Sequence, residues 1–561
     1  MRSLTSALRL WHTVRHLKFV QIVGRVRFRL SRPTPDLRAA PALRSFLGIW
    51  CEPAHRRQSL FSPTKFNFLN DERDLSKHGF DDESLPKLWR YNLHYFDDLT
   101  AQHAPERSEW HRGFIEQWIN ENSPARGTGW EPYPTSLRIV NWIKWIRAGN
   151  EPSERMLNSL AVQTRWLAKR LEWHLLGNHL FINAKALLFA GLFFDGDEAR
   201  AWCATAQRIL RVQIPEQILA DGGQFERSPM YHALALEDML DLTNIMRAYP
   251  SVIDASYAAT VAARVDGMRR FLAAMCHPDG EVSFFNDSAI GVAPPPTDLD
   301  AYAQRLGFPA RALLEDGVIH FAESGYIRVQ HGSMIAILDV GEIGPSYLPG
   351  HAHADTLSME LSINGERILT NSGTGEYGLS AERLRQRGTA AHNTVSIGAA
   401  DSSEVWSGFR VARRAHPFGL SITESMTESS VEAGGVVRIT CAHDGFRWLK
   451  GRPRHTRTWV FSLKSVEITD AITWSAGAQP SPSCIDRTPI AHWHCAVLVA
   501  SSSTVSVSLQ PRESSPITLT ITGGDLTVAQ TTFHPEFGVI RYQPKILAAI
   551  SGACITTRIV W

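Results

Sequence analysis

The hydrophobic period of this chain changes once along its length, and that change limits the folds open to it. From residue 110 to about 315 apolar residues recur at helical spacing. Leu160, Trp166, Leu167, Leu171 and Leu175 mark one face, and Leu236, Met239, Leu240 and Thr243 mark another. Short turns such as Gly127-Thr128-Gly129, Asp221-Gly222-Gly223 and Pro278-Asp279-Gly280 punctuate them, which predicts antiparallel helical hairpins. After about residue 318 the period becomes two. Ile517, Leu519 and Ile521 alternate with threonines, and Val505, Val507 and Leu509 alternate with serines. Many short strands with Gly, Ser and Pro turns predict a large antiparallel β-sandwich. A chain of 561 residues is too long for one core. The expected layout is multidomain, α then β: a basic N-terminal helical arm and linker over 1–79, a helical domain over 80–317, and the sandwich over 318–561.

Charge and cysteine usage exclude several function classes. The net charge of +2 leaves no overall attraction for nucleic acid, so no nucleic-acid partner is expected. The seven cysteines include no CxxC pair and are odd in number, which argues against a disulfide framework, with Cys484–Cys495 the one pairing worth testing. No run approaches the roughly 20 apolar residues of a membrane span. Eight basic residues, Arg2 through Arg32, precede the first acid, Asp36, and apolar residues interleave with them. That pattern shows no standard signal peptide. It reads either as a basic amphipathic helix making peripheral membrane contact or as a helical arm packed on the main body.

Chemistry-bearing residues cluster in three stretches. Asn178 and His179 open an apolar helix, where an amide and an imidazole can hold a carboxylate; alternatively Asn178 simply caps the helix. In the second stretch Ser228-Pro229 starts a helix with Tyr231 and His232 in its first turn. A phenol whose pKa is lowered there can act as base and acid. The third is Gly350-His351-Ala352-His353-Ala354-Asp355, followed by an Asn364-Gly365 hairpin, Tyr377 and Ala391-His392-Asn393-Thr394. Spacing of two puts His351 and His353 on one face if the stretch is a strand. His353 and His392 can be read as metal ligands or as hydrogen-bonded structural residues. Tyr91, His94, Tyr95, Trp130 and Tyr133 read as either a sugar-stacking groove or inter-helix core. Glu226, Glu237 and Asp238 could imitate a glycosidase pair. Dinucleotide, Walker, GxSxG and HExxH motifs are missing from the sequence.

Taken together, Gly177-Asn178-His179, Asp221-Gly222-Gly223 through Tyr231-His232, Gly350 through Asp355, and Ala391 through Thr394 resemble the heparinase II/III-like family of polysaccharide lyases, which includes alginate and oligoalginate lyases. The resemblance implies an N-terminal incomplete (α/α) toroid joined to a large antiparallel β-sandwich, with a cleft between them. It implies β-elimination on a uronic-acid-containing acidic polysaccharide: carboxylate neutralisation by Asn178 and His179, proton exchange by Tyr231, and participation of His351 and Tyr377. Tyr91, His94, Tyr95, Trp130, Tyr133 and His232 are the expected substrate contacts. No cofactor is required. Metal-containing relatives would place a structural zinc ion on His353 and His392, although Asn371 stands where they carry an aspartate. Periplasmic or secreted localisation follows from the family, and cytoplasmic is the alternative. Competing functions are a non-catalytic acidic-polysaccharide-binding or exopolysaccharide-assembly protein and a glycoside hydrolase on a related toroid.

Overall fold

A computed structural model describes residues 2–425, 435–475 and 487–561. Cys484 lies outside the described residues. Helices run from Lys87–Tyr95 to Pro296–Arg305, and named strands resume at Gly317–Phe321. Among the described residues no named strand falls between them. The helix Gly177–Phe193 is the axle of the first half. Largely apolar around its circumference, it is buried along almost its whole length and packs on Pro132–Arg147, Asp197–Gln217 and Pro229–Ala248. Leu160 and Leu167 are fully buried, as are Leu236, Met239, Leu240 and Thr243, whereas Trp166, Leu171 and Leu175 reach the surface.

The second half holds antiparallel sheets of five, eight and four strands. One core gathers Ile327 and Leu361 from the first, Ile439 and Trp459 from the second, and Trp493 and Ile546 from the third. Ile517, Leu519 and Ile521 face that core while Thr518 and Thr522 face solvent, as period two requires. Val507 and Leu509 behave likewise, but Val505 precedes its strand and is half exposed. Strands Met359–Ile363 and Glu366–Leu369 meet through Asn364 (φ 51) and Gly365 (φ 85), the two positive-φ positions of a tight hairpin. The architecture is thus the toroid followed by the sandwich.

The N-terminal segment is more than an arm and linker. Helices Arg2–Val14 and Phe19–Leu30 are followed by a small antiparallel sheet of Leu60–Ser62, Lys65–Phe68 and Asp71–Asp74. No helix among the described residues is long and apolar enough to cross a membrane.

Candidate active site

A cavity of about 1200 Å³ lies between the halves. Asn178, His179, Tyr231, His351 and Tyr377 all line it, together with Tyr91, Tyr95 and Tyr133. Each is placed by a local device. Leu176 and Gly177 both have positive φ, so the chain turns sharply into the helix that carries Asn178 and His179. At φ 53 Gly177 adopts a conformation that favours glycine, and a Cβ there would come within 2.2 Å of Leu348 Cδ2 and force that side chain to move. The Ser228 hydroxyl caps the next helix by accepting from the Tyr231 N–H at 3.1 Å, with Pro229 behind it. The same hydroxyl donates to the Asp287 carbonyl at 2.6 Å, which ties the helix start to the loop carrying Asp287.

His351 does not sit on a strand; Gly350–Asp355 is loop. The two histidines nevertheless converge on one carboxylate. His351 Nδ1 lies 2.9 Å from Asp287 Oδ2, and His353 Nε2 lies 2.8 Å from Asp287 Oδ1. Arg383 grips both oxygens of the same group, with Nη2 at 2.7 Å from Oδ2 and Nη1 on Oδ1. Burial opposes ionisation of Asp287, but Arg383 and the two imidazoles outweigh it and hold the carboxyl well below its usual range. A carboxylate only accepts, so His351 Nδ1 carries the proton and Nε2 presents its lone pair to the cavity.

Tyr231 stacks on the His351 ring with centroids 4.0 Å apart, and its hydroxyl meets that of Tyr377 at 3.0 Å. The lowered phenol pKa expected at this helix start is overturned. Burial, with Tyr377, Tyr133 and Asp287 adding to it, pushes Tyr231 well above the ordinary phenol range, and Tyr377 is raised by burial too. Tyr231 therefore holds its proton. Glu226, nearly fully buried, points Oε2 toward His351 Nε2 at 3.8 Å, and that oxygen has no hydrogen-bond partner among the described residues. Burial raises its pKa.

On the toroid side, His179 Nδ1 lies 3.1 Å from Glu172 Oε1 and its ring packs 4.7 Å from Tyr133. Burial pulls its pKa down, but Glu172 outweighs that and the net shift is upward. Tyr91 is fixed through its hydroxyl to Glu131. Tyr95 packs edge-on to Tyr133 at 6.0 Å.

Three expected substrate contacts are core instead. His94 is fully buried, its Nδ1 accepting from Trp118 Nε1 at 3.0 Å. Trp130 is 4% exposed and donates to the Asn122 carbonyl at 3.2 Å. His232 accepts from the Gln224 N–H and donates to the Met268 carbonyl at 2.9 Å, so both its nitrogens are spent, one on the turn in front of its helix and one on the helix Val265–Ala274. A Trp130→Ala protein should lose about 3–5 kcal/mol of stability, the usual cost of emptying a tryptophan-sized core site. Its folded fraction should bind substrate like the parent, which denaturant titration and calorimetry check together.

The zinc donor set does not fit. His353 Nδ1 and His392 Nε2 are 3.1 Å apart, and with His353 Nε2 held by Asp287 and His392 Nδ1 donating to the Gly388 carbonyl at 2.9 Å they offer two imidazole donors, with no third beside them among the described residues. Asn371 gives its carbonyl oxygen to the Asn393 N–H at 3.0 Å, so its remaining side-chain atom is an amide donor, which cannot ligate a metal. Asp355 Oδ2 is occupied by the Asn286 N–H at 2.9 Å. No group of three or more metal-ligating side chains occurs among the described residues. Of the glycosidase-like carboxylates, Glu237 is tied to Arg56 and Asp238 to Lys185 Nζ at 2.7 Å, while Glu226 alone keeps the unpartnered oxygen described above.

Asp287, Arg383 and Glu172 were not singled out from sequence. Asp287 sits in an ordinary polar run after Phe284-Phe285, and its importance comes from partners 64 to 96 residues away. The only local hint is Ser380 three residues before Arg383, a helix-cap spacing.

A helical toroid closes on a β-sandwich, and tyrosine, histidine and amide groups from both meet at the seam. Residues 72–304 match the heparinase II/III N-terminus model and 315–559 match the heparinase II/III-like C-terminal model. The chain belongs to the heparinase II/III-like family. It is 28% identical over 242 residues to a heparin-sulfate lyase of Bacteroides stercoris, an overlap of 39% of this chain and 35% of the relative. The match thus spans about a third of that relative's length. Among solved structures it is similar to heparinase III (TM-score 0.67, 17% identity, covering 85% of this chain and 78% of the other). It is also similar to the heparan sulfate lyase of Pedobacter heparinus (TM-score 0.57, 16% identity, 96% and 87%). At such identities these two likenesses speak to the fold.

Proposed function

We propose that the protein is a polysaccharide lyase that cleaves a uronic-acid-containing acidic polysaccharide by β-elimination. The observation that carries this reading is the meeting of Asn178, His179, Tyr231 and His351, drawn from both halves of the chain, on one cavity. Elimination asks for three things there. The C6 carboxylate must be neutralised so that negative charge can build up at C5; the Asn178 amide and a protonated His179 supply that. A base must take the C5 proton; in the neutral ring the Asp287 contact at Nδ1 leaves the lone pair on His351 Nε2, which makes Nε2 that base. An acid must protonate O4 as the C4–O4 bond breaks and the C4–C5 double bond forms; Tyr231, holding its proton, is that acid. Tyr377 lies within hydrogen-bond reach of Tyr231 and can return a proton to it. Tyr91, Tyr95 and Tyr133 offer ring faces to neighbouring sugars. No step calls for a cofactor or metal.

An acidic polysaccharide is met outside the cytoplasm, so the protein acts in the periplasm or as a secreted enzyme. The arm carries exposed Trp11, Phe19 and Leu30 and exposed Arg27 and Arg29, side chains suited to peripheral contact with an anionic membrane.

The test is incubation with a panel of uronate polymers while following the near-ultraviolet absorbance of an unsaturated uronate. A rise supports the lyase; cleavage without absorbance indicates hydrolysis; binding without cleavage indicates a non-catalytic role. A pH profile adds a second check. His179 has a raised pKa, so its charge is complete below about 6.5, the ordinary imidazole value, and is lost as pH rises through the raised value. Affinity for uronate should fall along that limb. Glu172→Gln removes the group that raises it, so the fall should begin at lower pH; an unmoved limb would sever His179 from carboxylate binding.

A further inference from the structure

The N-terminal segment crosses the seam between the halves at two separate places along the cavity. At the first, the arm bonds to both sides. Arg9 Nε pairs with Glu404 at 2.8 Å, and Trp406 Nε1 donates to Thr13 at 3.1 Å, both on the sandwich. Lys18 pairs with Glu216, and Arg170 donates to the carbonyls of Phe28 and Ser31 at 2.8 Å, both on the toroid. Gln21, almost fully buried, reaches carbonyls of both halves, Leu175 and Tyr347. Gly24 lies so close to the toroid that a Cβ there would be 2.9 Å from the His174 nitrogen. The second crossing is made by the small N-terminal sheet. Ser59 and Leu60 donate backbone N–H groups to Asp98 of the toroid at 2.7 and 2.9 Å. Across the seam, Arg57 pairs with Glu536 at 3.0 Å and Asn70 donates to the Phe537 carbonyl at 2.9 Å. Both crossings contribute lining to the same cavity, Leu17, Gln21 and Arg25 from one and Gln58, Asn67 and Leu69 from the other.

A groove that cuts inside a long polymer must let chain leave at both ends. Here covalent chain, anchored to both walls, stands across it. The cavity of about 1200 Å³ is just above the usual range for small-molecule sites, room for a few sugar units. We propose that the site takes the end of an acidic polysaccharide, or a short oligosaccharide, and that the N-terminal segment is the wall that sets this limit. Arg25, which makes no hydrogen bond or ion pair within the protein among the described residues, faces the cavity from that wall and meets the terminal anionic group. This rests on the lyase reading for its product, but its binding side does not.

Two measurements separate the ideas. Uronate oligosaccharides and polymers of graded length are titrated into the Tyr231→Phe protein. The expected result is a stoichiometry per chain that stays constant as length grows, because each chain offers only its ends. A stoichiometry that rises with length, or no binding to any of these chains, overturns the proposal. With the parent enzyme, the smallest unsaturated products should appear from the outset while polymer viscosity hardly falls. An arm-release variant, Arg9→Ala with Lys18→Ala and Gln21→Ala, should yield longer early products and a faster viscosity drop per bond cleaved. Gly24→Leu, which pushes the arm off without removing its polar anchors, repeats the test if the triple variant folds poorly. A broad product ladder from the parent, or unchanged product sizes in a folded arm-release variant, also overturns it. No unsaturated product from any polymer, with end-limited binding intact, would instead defeat the lyase reading alone.

Discussion

A Tyr231→Phe protein should fold and bind acidic polysaccharide like the parent while turnover falls by about 10²–10⁴-fold, the usual contribution of a general acid. The substitution removes one oxygen and keeps the ring. Packing of that ring on His351 at 4.0 Å is therefore retained, and so is the cap from Ser228 to the Tyr231 N–H. The lost atom is the one that reaches the Tyr377 hydroxyl at 3.0 Å. Burial keeps the phenol protonated at rest, and in the proposed mechanism the group the variant loses is the acid. The loss should then be smaller on a substrate whose leaving group needs no protonation. Rates on a polymer and on a synthetic uronide with an acidic phenol at C4 check this. Equal losses on both would place the phenol in binding or base chemistry, and parent-like turnover would leave Tyr231 a structural tyrosine.

The two-part architecture was readable because period is a local property. A strand such as Ile517–Thr522 buries alternate residues whatever its neighbours are, and Gly177–Phe193 is largely apolar around its circumference because it is enclosed by other helices. The site residues that open elements were readable for a similar reason. Asn178 and Tyr231 follow turn and cap signals that sequence displays directly. The aromatics divided in a way no sequence pattern announces. Tyr91, Tyr95 and Tyr133 reach the cavity while His94 and Trp130, in the same stretches, turn into the core. One helical turn decides between these outcomes, and both faces are equally aromatic. The Asp287 cluster was hidden for a stronger reason. An acid is informative only when buried, and its burial is made tolerable by Arg383 on the helix Ala381–Arg387 and by His351 and His353 on the loop Gly350–Asp355, all distant in sequence. The small sheet at 60–74 was missed because its strands are only three and four residues long, below the length at which alternation can be recognised.

Asp287 is the position where the largest combined loss is expected. Asp287→Ala removes the acceptor for Arg383, itself fully buried, and leaves an unpaired guanidinium inside the sandwich. Breaking a buried pair this way costs about 3–5 kcal/mol. The cost should appear as a lower denaturant midpoint with an unchanged slope, since the surface exposed on unfolding stays the same. Asp287→Asn separates that effect from chemistry. The amide keeps the volume, and its oxygen can still accept from Arg383. Its NH₂ can now donate to His351 Nδ1, which would force the ring proton onto Nε2, the nitrogen that faces the cavity. A base with its lone pair turned away cannot take the C5 proton. The comparable exchange in a serine protease triad costs about 10⁴ in kcat. A loss of that order, with binding of the uronate polymer retained, is the expected outcome for a folded Asp287→Asn protein. Nitrogen-resolved NMR of the His351 ring supplies the direct check, because the proton should move from Nδ1 to Nε2. If turnover falls while the tautomer stays put, Asp287 acts only by holding the loop in place. If turnover survives with the tautomer reversed, His351 is not the base, and the proton at C5 must leave by another group that faces the same cavity, of which Glu226, with its unpartnered oxygen 3.8 Å from His351, is the nearest.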